Sequence, residues 1–300
     1  MTKNNSGKHR GTPRKQRRGT SIARGDINRN SQATTNPSIL HELHGFWPQI
    51  MRMAWVDIQK EYKGAIFNWL WAIARPLIYL LVYWFVLKFG LKANTMAGKG
   101  IDLFPWLVAG LVAWFFCSDM INAGMTAIKK YSYLVTKMKF PVAAIPIFIT
   151  LSNLFTHVVL LGVCLLYFIW RGDCLDITWV QLPIYTLLMA AFFMMWSFFS
   201  APLAVISKDF VQLVKSILRI LFWVSGVIWN IRGSTTWMST IASFNPITFF
   251  IEGYRDALLY HQWIWENPRQ LITFLIIFAI MIFMGIRVYK RTRKEIADLL

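Results

Sequence analysis

The sequence predicts an all-α integral membrane protein with six transmembrane helices. Of its 300 residues, 56% are hydrophobic and only 15% are charged, whereas soluble domains carry about 25% charged residues. Apolar segments long enough to cross a bilayer recur along the chain, and basic residues concentrate in alternate connections between them. Together these three observations exclude an ordinary soluble domain.

Six apolar segments are candidate spans, because a helix needs roughly 20 apolar residues to cross the hydrocarbon core. Residues 140–170 and 177–206 contain no Lys, Arg, Asp or Glu, and the sixth segment is short. We place the spans at about residues 66–90, 103–126, 141–170, 177–206, 211–231 and 270–289.

The basic residues predict how these spans are oriented in the cell membrane. Residues 1–63 carry twelve Lys or Arg against four acidic residues, and the connections after the second and fourth spans are basic, as is the C-terminal tail. By the positive-inside rule, both termini and these two loops are cytoplasmic. The net charge of +18 therefore reflects topology for the most part.

Two regions precede the first span. Residues 1–36 are basic and polar, so we predict a disordered arm that contacts anionic membrane lipid. The arm lacks the aromatic residues that stack on bases, so no nucleic acid is expected. In the next region, 37–64, the spacing of apolar residues predicts an amphipathic helix over 46–63 that lies in the membrane interface. This helix is either a plain anchor or a contact for a cytoplasmic partner. Its apolar positions are Trp47, Ile50, Met51, Ala54, Ile58 and Tyr62.

A short apolar run lies between the fifth and sixth spans. Residues 237–251 carry no charge and are interrupted by Asn245-Pro246. Apolar segments of about 10–14 residues are more often re-entrant or interfacial than spanning. Broken backbone at membrane depth packs inside protein or lines a water-filled cavity. We therefore predict a gate here, with Arg255 paired to Glu252 or Asp256. The gate residues are Asn245, Pro246, Glu252, Tyr254 and Arg255.

No catalytic site is predicted. The sequence lacks the glycine-rich loops that bind nucleotide phosphates, and its histidines and cysteines do not show metal-ligand spacings. We therefore expect no cofactor, no metal and no covalent chemistry on this chain.

Four ionisable residues lie within or at the ends of spans, where charge is costly and often functional. We interpret Arg75 and Arg219 either as structural residues or as contacts for an anion. Asp119 is interpreted as a partner for a neighbouring helix, and His157 as a neutral, hydrogen-bonded core residue.

Motifs in a fixed order extend over residues 46–300. They include Tyr62-Lys63-Gly64, Val82-Tyr83-Trp84-Phe85, Trp114-Phe115-Phe116 and Asn245-Pro246 followed by Tyr254-Arg255. In these motifs and their order, the chain resembles the ABC-2 type permeases of the polysaccharide-export group. Three further segments resemble the teichoic acid translocation permeases of Gram-positive bacteria. These segments cover residues 137–141, 217–222 and 258–263.

The resemblance implies a homodimer associated with two copies of a separate ATPase subunit, which would bind the ATP and Mg. It also implies a cytoplasmic coupling helix between spans two and three, and a pair of short extracellular helices dipping into the membrane between spans five and six. Arg75 departs from the group, which more often has Asn before this proline, and the basic arm is a second departure.

The resulting hypothesis is a permease subunit that translocates lipid-linked teichoic acid, of the undecaprenyl pyrophosphate type, across the cytoplasmic membrane. Spans one and five of opposing subunits would open the path, although lipid-facing packing is an alternative role for the aromatic residues. The expected path residues are Arg75, Tyr83, Trp84, Trp114 and Arg219. The expected coupling residues are Lys129, Lys130, Tyr133, Leu134, Lys137 and Lys139.

Other functions stay open at this point. Within the same fold, the cargo can be a capsular or O-antigen polysaccharide or a small hydrophobic drug. A proton-driven carrier or a channel without an ATPase is the alternative from a different class. Carriers usually show paired interrupted helices in both halves, whereas only one half of this chain has such an interruption.

Overall fold

The computed structural model describes residues 45–62, 70–92, 100–138, 140–173, 176–232 and 237–299. Over these residues the elements are helices. The predicted basic arm at 1–36 and the predicted coupling residue Lys139 lie outside the described residues.

The helices are numbered in chain order. They are α1 (Trp47–Tyr62), α2 (Leu70–Phe85, continued by the π-helical turn Val86–Gly90), α3 (Leu103–Lys130), α4 (Ser132–Met138), α5 (Ala144–Arg171), α6 (Leu182–Ile206, preceded by the 3-10 turn Ile177–Gln181), α7 (Lys208–Val224), α8 (Trp237–Ser243), α9 (Pro246–Arg255, continued by the π-helical turn Asp256–Tyr260) and α10 (Pro268–Leu299).

Five of these helical segments are long and apolar enough to cross a membrane, and they match five of the six predicted spans. The sixth, predicted at 211–231, corresponds to α7, which ends earlier, at Val224. The helix stops there because Gly226 has a φ of +72°, a left-handed conformation that glycine adopts without steric cost. The five candidate spans are Leu70–Gly90, Leu103–Met138, Ala144–Arg171, Ile177–Ile206 and Pro268–Thr292.

Helix α3 is the centre of the core. It packs against α5, α6 and α9, and Trp106, Leu107 and Met120 along it are fully buried. Helices that are apolar on all sides are expected in such central positions. In contrast, α2 and α10 expose most of their apolar side chains, which leaves these surfaces for lipid or for another chain.

The amphipathic helix α1 packs on the chain itself through Ile50, Ala54 and Ile58. Asp57 on the same helix is also buried. Its carboxylate accepts hydrogen bonds from Lys130, at 2.8 Å, and from the hydroxyl of Tyr131. A buried carboxylate needs such partners because desolvation penalises an unpaired charge. The contact fixes α1 to the loop that follows α3.

Helices α8 and α9, with the turn that ends at Tyr260, form a unit that we call the hairpin (residues 237–260). As predicted, the helix breaks at Asn245-Pro246. The side chain of Asn245 accepts a hydrogen bond from the backbone N–H of Ile247 at 3.0 Å, which caps α9. Its amide also donates to the hydroxyl of Ser225 at 2.7 Å, linking the break to the end of α7.

A buried ion network holds the hairpin. Arg255 is completely buried and donates from Nη1 to Glu252 at 2.7 Å. This ion pair is one of the two alternatives predicted from the sequence. Asp256 instead contacts Arg232, which also donates from Nε to Glu252 at 2.6 Å. Burial favours a higher pKa for Glu252, but the guanidinium groups of Arg255 and Arg232 outweigh it and hold the pKa below its ordinary value. Glu252 is therefore ionised at neutral pH.

The remaining donors of Arg255 bind backbone. Nη1 and Nη2 donate to the carbonyls of Gly226 and Val227, both at 2.8 Å, and the guanidinium lies 3.4 Å from the ring centroid of Trp106. A Cβ at Gly110 would come within 2.5 Å of Nη2. Arg255 therefore joins the hairpin, the end of α7 and the first turns of α3.

Replacing Arg255 with Ala should destabilise the protein, because removing one member of a buried ion pair commonly costs about 3–5 kcal/mol. We expect Arg255→Ala to lower both the yield of folded protein and its thermal unfolding midpoint in detergent. Arg171→Ala, which removes a partly exposed ion pair with Asp173 at 3.6 Å, is the matched control and should change neither. A wild-type midpoint for Arg255→Ala contradicts the prediction.

Candidate functional site

A cleft of about 610 Å³ lies between α2, α3 and α7. It brings together four of the five predicted path residues, which are far apart in the sequence. Those four are Arg75, Tyr83, Trp114 and Arg219, and Asp119 and Phe222 line the same cleft.

Aromatic rings form one wall of the cleft, centred on Phe222. Tyr83 stacks on Phe222 with ring centroids 5.0 Å apart, and Trp114 packs edge-on against the same ring at 5.2 Å. Each pair joins two different helices, so the ring positions are fixed by helix packing. Such offset and edge-to-face contacts stabilise an aromatic cluster by about 0.5–1.5 kcal/mol per pair beyond area burial.

Two guanidinium groups, those of Arg75 and Arg219, line the cleft. Within the part of the chain that the structure describes, neither Arg75 nor Arg219 forms an ion pair. Arg219 makes a long hydrogen bond, 3.4 Å, to the hydroxyl of Ser216. A guanidinium binds carboxylate and phosphate oxygens through paired N–H donors, so the cleft can contact an anion with these two residues.

Trp84, the fifth predicted path residue, lies outside this cleft. Its ring packs edge-on against Phe104 and Phe89, at 5.8 and 5.9 Å, and the ammonium of Lys88 lies 4.9 Å from its centroid. Neighbouring residues on a helix point about 100° apart because there are 3.6 residues per turn. Tyr83 and Trp84 therefore face different surroundings, and a place for Trp84 in the substrate path stays a prediction.

The predicted coupling residues lie on and beside α4. Lys129, Lys130 and Lys137 are exposed, and Tyr133 is 37% exposed with a hydrogen bond from Lys60 at 3.3 Å. Leu134 is only 2% exposed and packs in the chain's own core. Its predicted part in a docking surface is therefore corrected, since the side chain already serves the fold.

The predicted gate residue Tyr254 is a buried anchor of the hairpin. Its hydroxyl forms hydrogen bonds with Nε2 of His157, at 2.8 Å, and with the hydroxyl of Thr186, at 2.7 Å. His157 is thus a hydrogen-bonded core residue, as interpreted from the sequence, and it connects α5 to the hairpin.

Arg232 was missed by the sequence analysis. It is a single arginine in a loop, which is indistinguishable in sequence from a charge that only sets topology. Its position two residues before a polar Ser-Thr-Thr run gave no sign of Glu252 and Asp256 as partners. Among the described residues, no group of three or more His, Cys, Asp or Glu is arranged to hold a metal.

The chain is similar to known export proteins over most of its length. The O-antigen export system permease protein RfbA of Myxococcus xanthus is 21% identical over 263 residues, which are 87% of this chain and 98% of that relative. Two proteins of the same name from Klebsiella pneumoniae are 22% and 20% identical over 246 residues, or 81% of this chain and 92% of each relative. The sequence profile of the ABC-2 type transporter matches residues 48–259. Because that match covers more than half of its length, the chain belongs to the ABC-2 type transporter family.

Proposed function

We propose that this protein is the membrane subunit of an ABC exporter that translocates a lipid-linked polysaccharide across the cytoplasmic membrane, driven by a separate ATPase subunit. The observation that carries the proposal is the cleft, where stacked aromatic rings lie beside two arginines that form no ion pair with any described residue. The names of the relatives, which are O-antigen export permeases, support the same class of cargo.

The chemistry of the cleft suits such a cargo. A glycan has little apolar surface, so a path for it must offer aromatic faces and hydrogen bonds, as Tyr83 and Trp114 do. A lipid-linked glycan also carries a phosphate or pyrophosphate, whose oxygens match the paired donors of Arg75 and Arg219. A small hydrophobic drug would leave both guanidinium groups without a ligand, which makes that cargo the weaker candidate.

The architecture that goes with this function is a homodimer bound to two ATPase subunits, which supply the ATP and Mg sites. In this arrangement α7 is the fifth span, although it has only 17 residues, and the hairpin is re-entrant and closes the extracellular side. Both termini and α4 face the cytoplasm, as the basic residues near them favour. The exposed apolar surface of α2 leaves the cleft open towards a second copy.

Teichoic acid is the second candidate cargo. Segments 137–141, 217–222 and 258–263 favour it by their resemblance to teichoic acid permeases, whereas the relatives favour an O-antigen. Deleting the chain should stop delivery of one polymer to the cell surface and accumulate its lipid-linked form inside. Sugar and phosphate analysis of the accumulated polymer distinguishes the two cargoes, since a teichoic acid contains phosphate in every repeat. Unchanged surface polymers in the deletion strain contradict the proposed function.

Truncating the aromatic wall should slow export. Tyr83→Leu removes the ring that stacks on Phe222, and an aromatic contact of about 0.5–1.5 kcal/mol corresponds to a roughly two- to tenfold loss of rate. Trp84→Leu is the matched control one position away, because its ring lies outside the cleft. We expect polymer export, measured at equal amounts of folded dimer, to fall only for Tyr83→Leu. Equal export by the two variants contradicts this role of Tyr83.

Removing the charge of Arg219 should weaken contact with an anionic cargo. Hydrogen bonds to charged groups contribute about 1.5–3 kcal/mol, so Arg219→Gln should reduce export about tenfold or more. Arg219→Lys keeps the charge without the paired donors, so its export rate should lie between those of the wild type and Arg219→Gln. Arg171→Gln, at an arginine outside the cleft, serves as the control. Export by Arg219→Gln at the wild-type rate shows that the residue is structural.

Coupling to the ATPase is expected to involve the exposed part of α4. Tyr133→Ala combined with Met138→Ala removes exposed apolar contacts and should uncouple ATP hydrolysis from export while leaving the membrane subunit folded. Leu134→Ala should instead lower the folded yield, because emptying a buried leucine site costs about 2–5 kcal/mol. If the double variant exports normally with its ATPase bound, coupling belongs elsewhere, with α1 as the next candidate.

A further inference from the structure

A second polar cavity lies beside the hairpin and shares no residue with the cleft. Its volume is about 840 Å³, within the range of about 300–1,000 Å³ that is typical of ligand sites. The walls come from α8, α9, the first turns of α10 and the loop segments next to them. They include Arg232, Ser243, Thr248, Glu252, Gln262 and Gln270.

The charges of the cavity floor compensate one another. Arg232 donates from Nε to Glu252 at 2.6 Å and from Nη1 to the side-chain oxygen of Gln262 at 2.8 Å, and its Nη2 contacts Asp256. The ring of Tyr260 lies 4.3 Å from the same guanidinium. Each of its three nitrogens donates in these contacts, so Arg232 gives the floor a rigid polar surface. Arg269 also lines the cavity and forms no ion pair among the described residues. Apart from these charged groups the walls offer uncharged polar groups, which suit a ligand that forms hydrogen bonds and not a metal ion.

Several polar side chains on the walls have hydrogen-bonding capacity to spare. Within the described ranges, the side chains of Asn267 and Gln270 form no hydrogen bond. The hydroxyls of Ser243 and Thr273 donate to backbone carbonyls at 2.7 and 2.9 Å, which leaves both oxygens able to accept. Amide donors and hydroxyl acceptors thus line one cavity. A ligand with neighbouring hydroxyl groups, each of which donates and accepts, satisfies both kinds of group.

A pair of tryptophans lies in a loop whose two ends line the cavity. Trp263 and Trp265 stack with ring centroids 4.7 Å apart and planes inclined by 8°, and Trp265 is 61% exposed. The pair lies in the short loop between Gln262 and Asn267, both of which line the cavity. An exposed indole face combines apolar contact area with a polar edge, as the face of a sugar ring requires.

We propose that this cavity binds units of the exported polymer that carry adjacent hydroxyl groups, namely sugars or polyols, at a site separate from the cleft. The inference rests on the proposed function, because it assigns part of the same cargo to the hairpin. In this proposal the hairpin is more than a passive gate, because the hairpin and the start of α10 hold the polymer through specific hydrogen bonds.

Photocrosslinking in cells tests the site with the natural polymer. Benzoylphenylalanine is introduced in place of Gln270, Tyr83 or Ile272 in separate full-length variants, expressed with the ATPase subunit in cells that make the polymer. After irradiation, the purified chain is stained for adjacent hydroxyl groups by periodate oxidation. We expect a stained, higher-mass adduct at Gln270 and at Tyr83. Ile272 is on the same helix, 56% exposed, and outside the cavity, so it should give none.

Each other outcome has a defined meaning. An adduct at Tyr83 without one at Gln270 overturns the inference and leaves the proposed function standing. No adduct at either position removes the proposed function and the inference with it. An unstained product at Gln270 with twice the mass of the chain shows that a second copy fills the cavity, which also overturns the inference.

Substitutions at the cavity give a second measurement. Gln270→Leu with Thr273→Val removes polar groups from the wall, and losing a hydrogen bond of about 1 kcal/mol corresponds to a roughly fivefold effect. We expect export to fall about fivefold or more at unchanged folded yield. Thr292→Val, which removes a hydroxyl bonded to the carbonyl of Val288 on the same helix, should export normally. Wild-type export by the double variant overturns the inference.

Discussion

The buried guanidinium of Arg255 is the constraint on which much of this structure depends. A charge with no exposure needs a full set of partners, because desolvation penalises every unsatisfied donor. Glu252 and the carbonyls of Gly226 and Val227 supply that set, while Trp106 covers one face. These partners come from three parts of the chain. Meeting the needs of one side chain therefore determines where the hairpin, the end of α7 and the first turns of α3 lie relative to one another.

The same constraint reaches the cleft through α7. The helix that presents Arg219 and Phe222 to the cleft ends only a few residues before the two carbonyls that Arg255 holds. Trp106, under Arg255, and Asp119, in the cleft, are 13 positions apart on α3, or roughly 20 Å along a helix. A movement of the hairpin would therefore act on one end of α7. The residues of α7 that line the cleft lie further along the same helix. Helices transmit such shifts because packed elements move as rigid bodies.

The sequence predicted what depends on local pattern. Long apolar segments with few charges predicted five spans, Asn245-Pro246 predicted the break in the hairpin, and the spacing of Glu252 and Arg255 predicted their ion pair. Sequence patterns are not enough where tertiary packing decides which way a side chain faces. The burial of Asp57 on α1 and of Leu134 on α4, and the position of Trp84 on α2 outside the cleft, depend on how these helices pack against the rest of the chain. Arg232 was missed for the same reason, since its partners lie 20 and 24 residues away.

The two polar cavities differ in how they treat charge, and the difference has a physical consequence for a polymer with one anionic end. In the cleft, which Asp119 also lines, Arg75 and Arg219 have no ion-pair partner among the described residues, so an anion would bind there without displacing an ion pair of theirs. Beside the hairpin, Arg232 is already bound to Glu252 and Asp256. An anion would have to compete with these two carboxylates, and among the described lining residues Arg269 alone offers it a guanidinium without an ion pair. On the function proposed above, a lipid-linked phosphate would favour the cleft. The uncharged hydroxyl groups of the polymer would then exchange weak hydrogen bonds with the hairpin as the polymer advances.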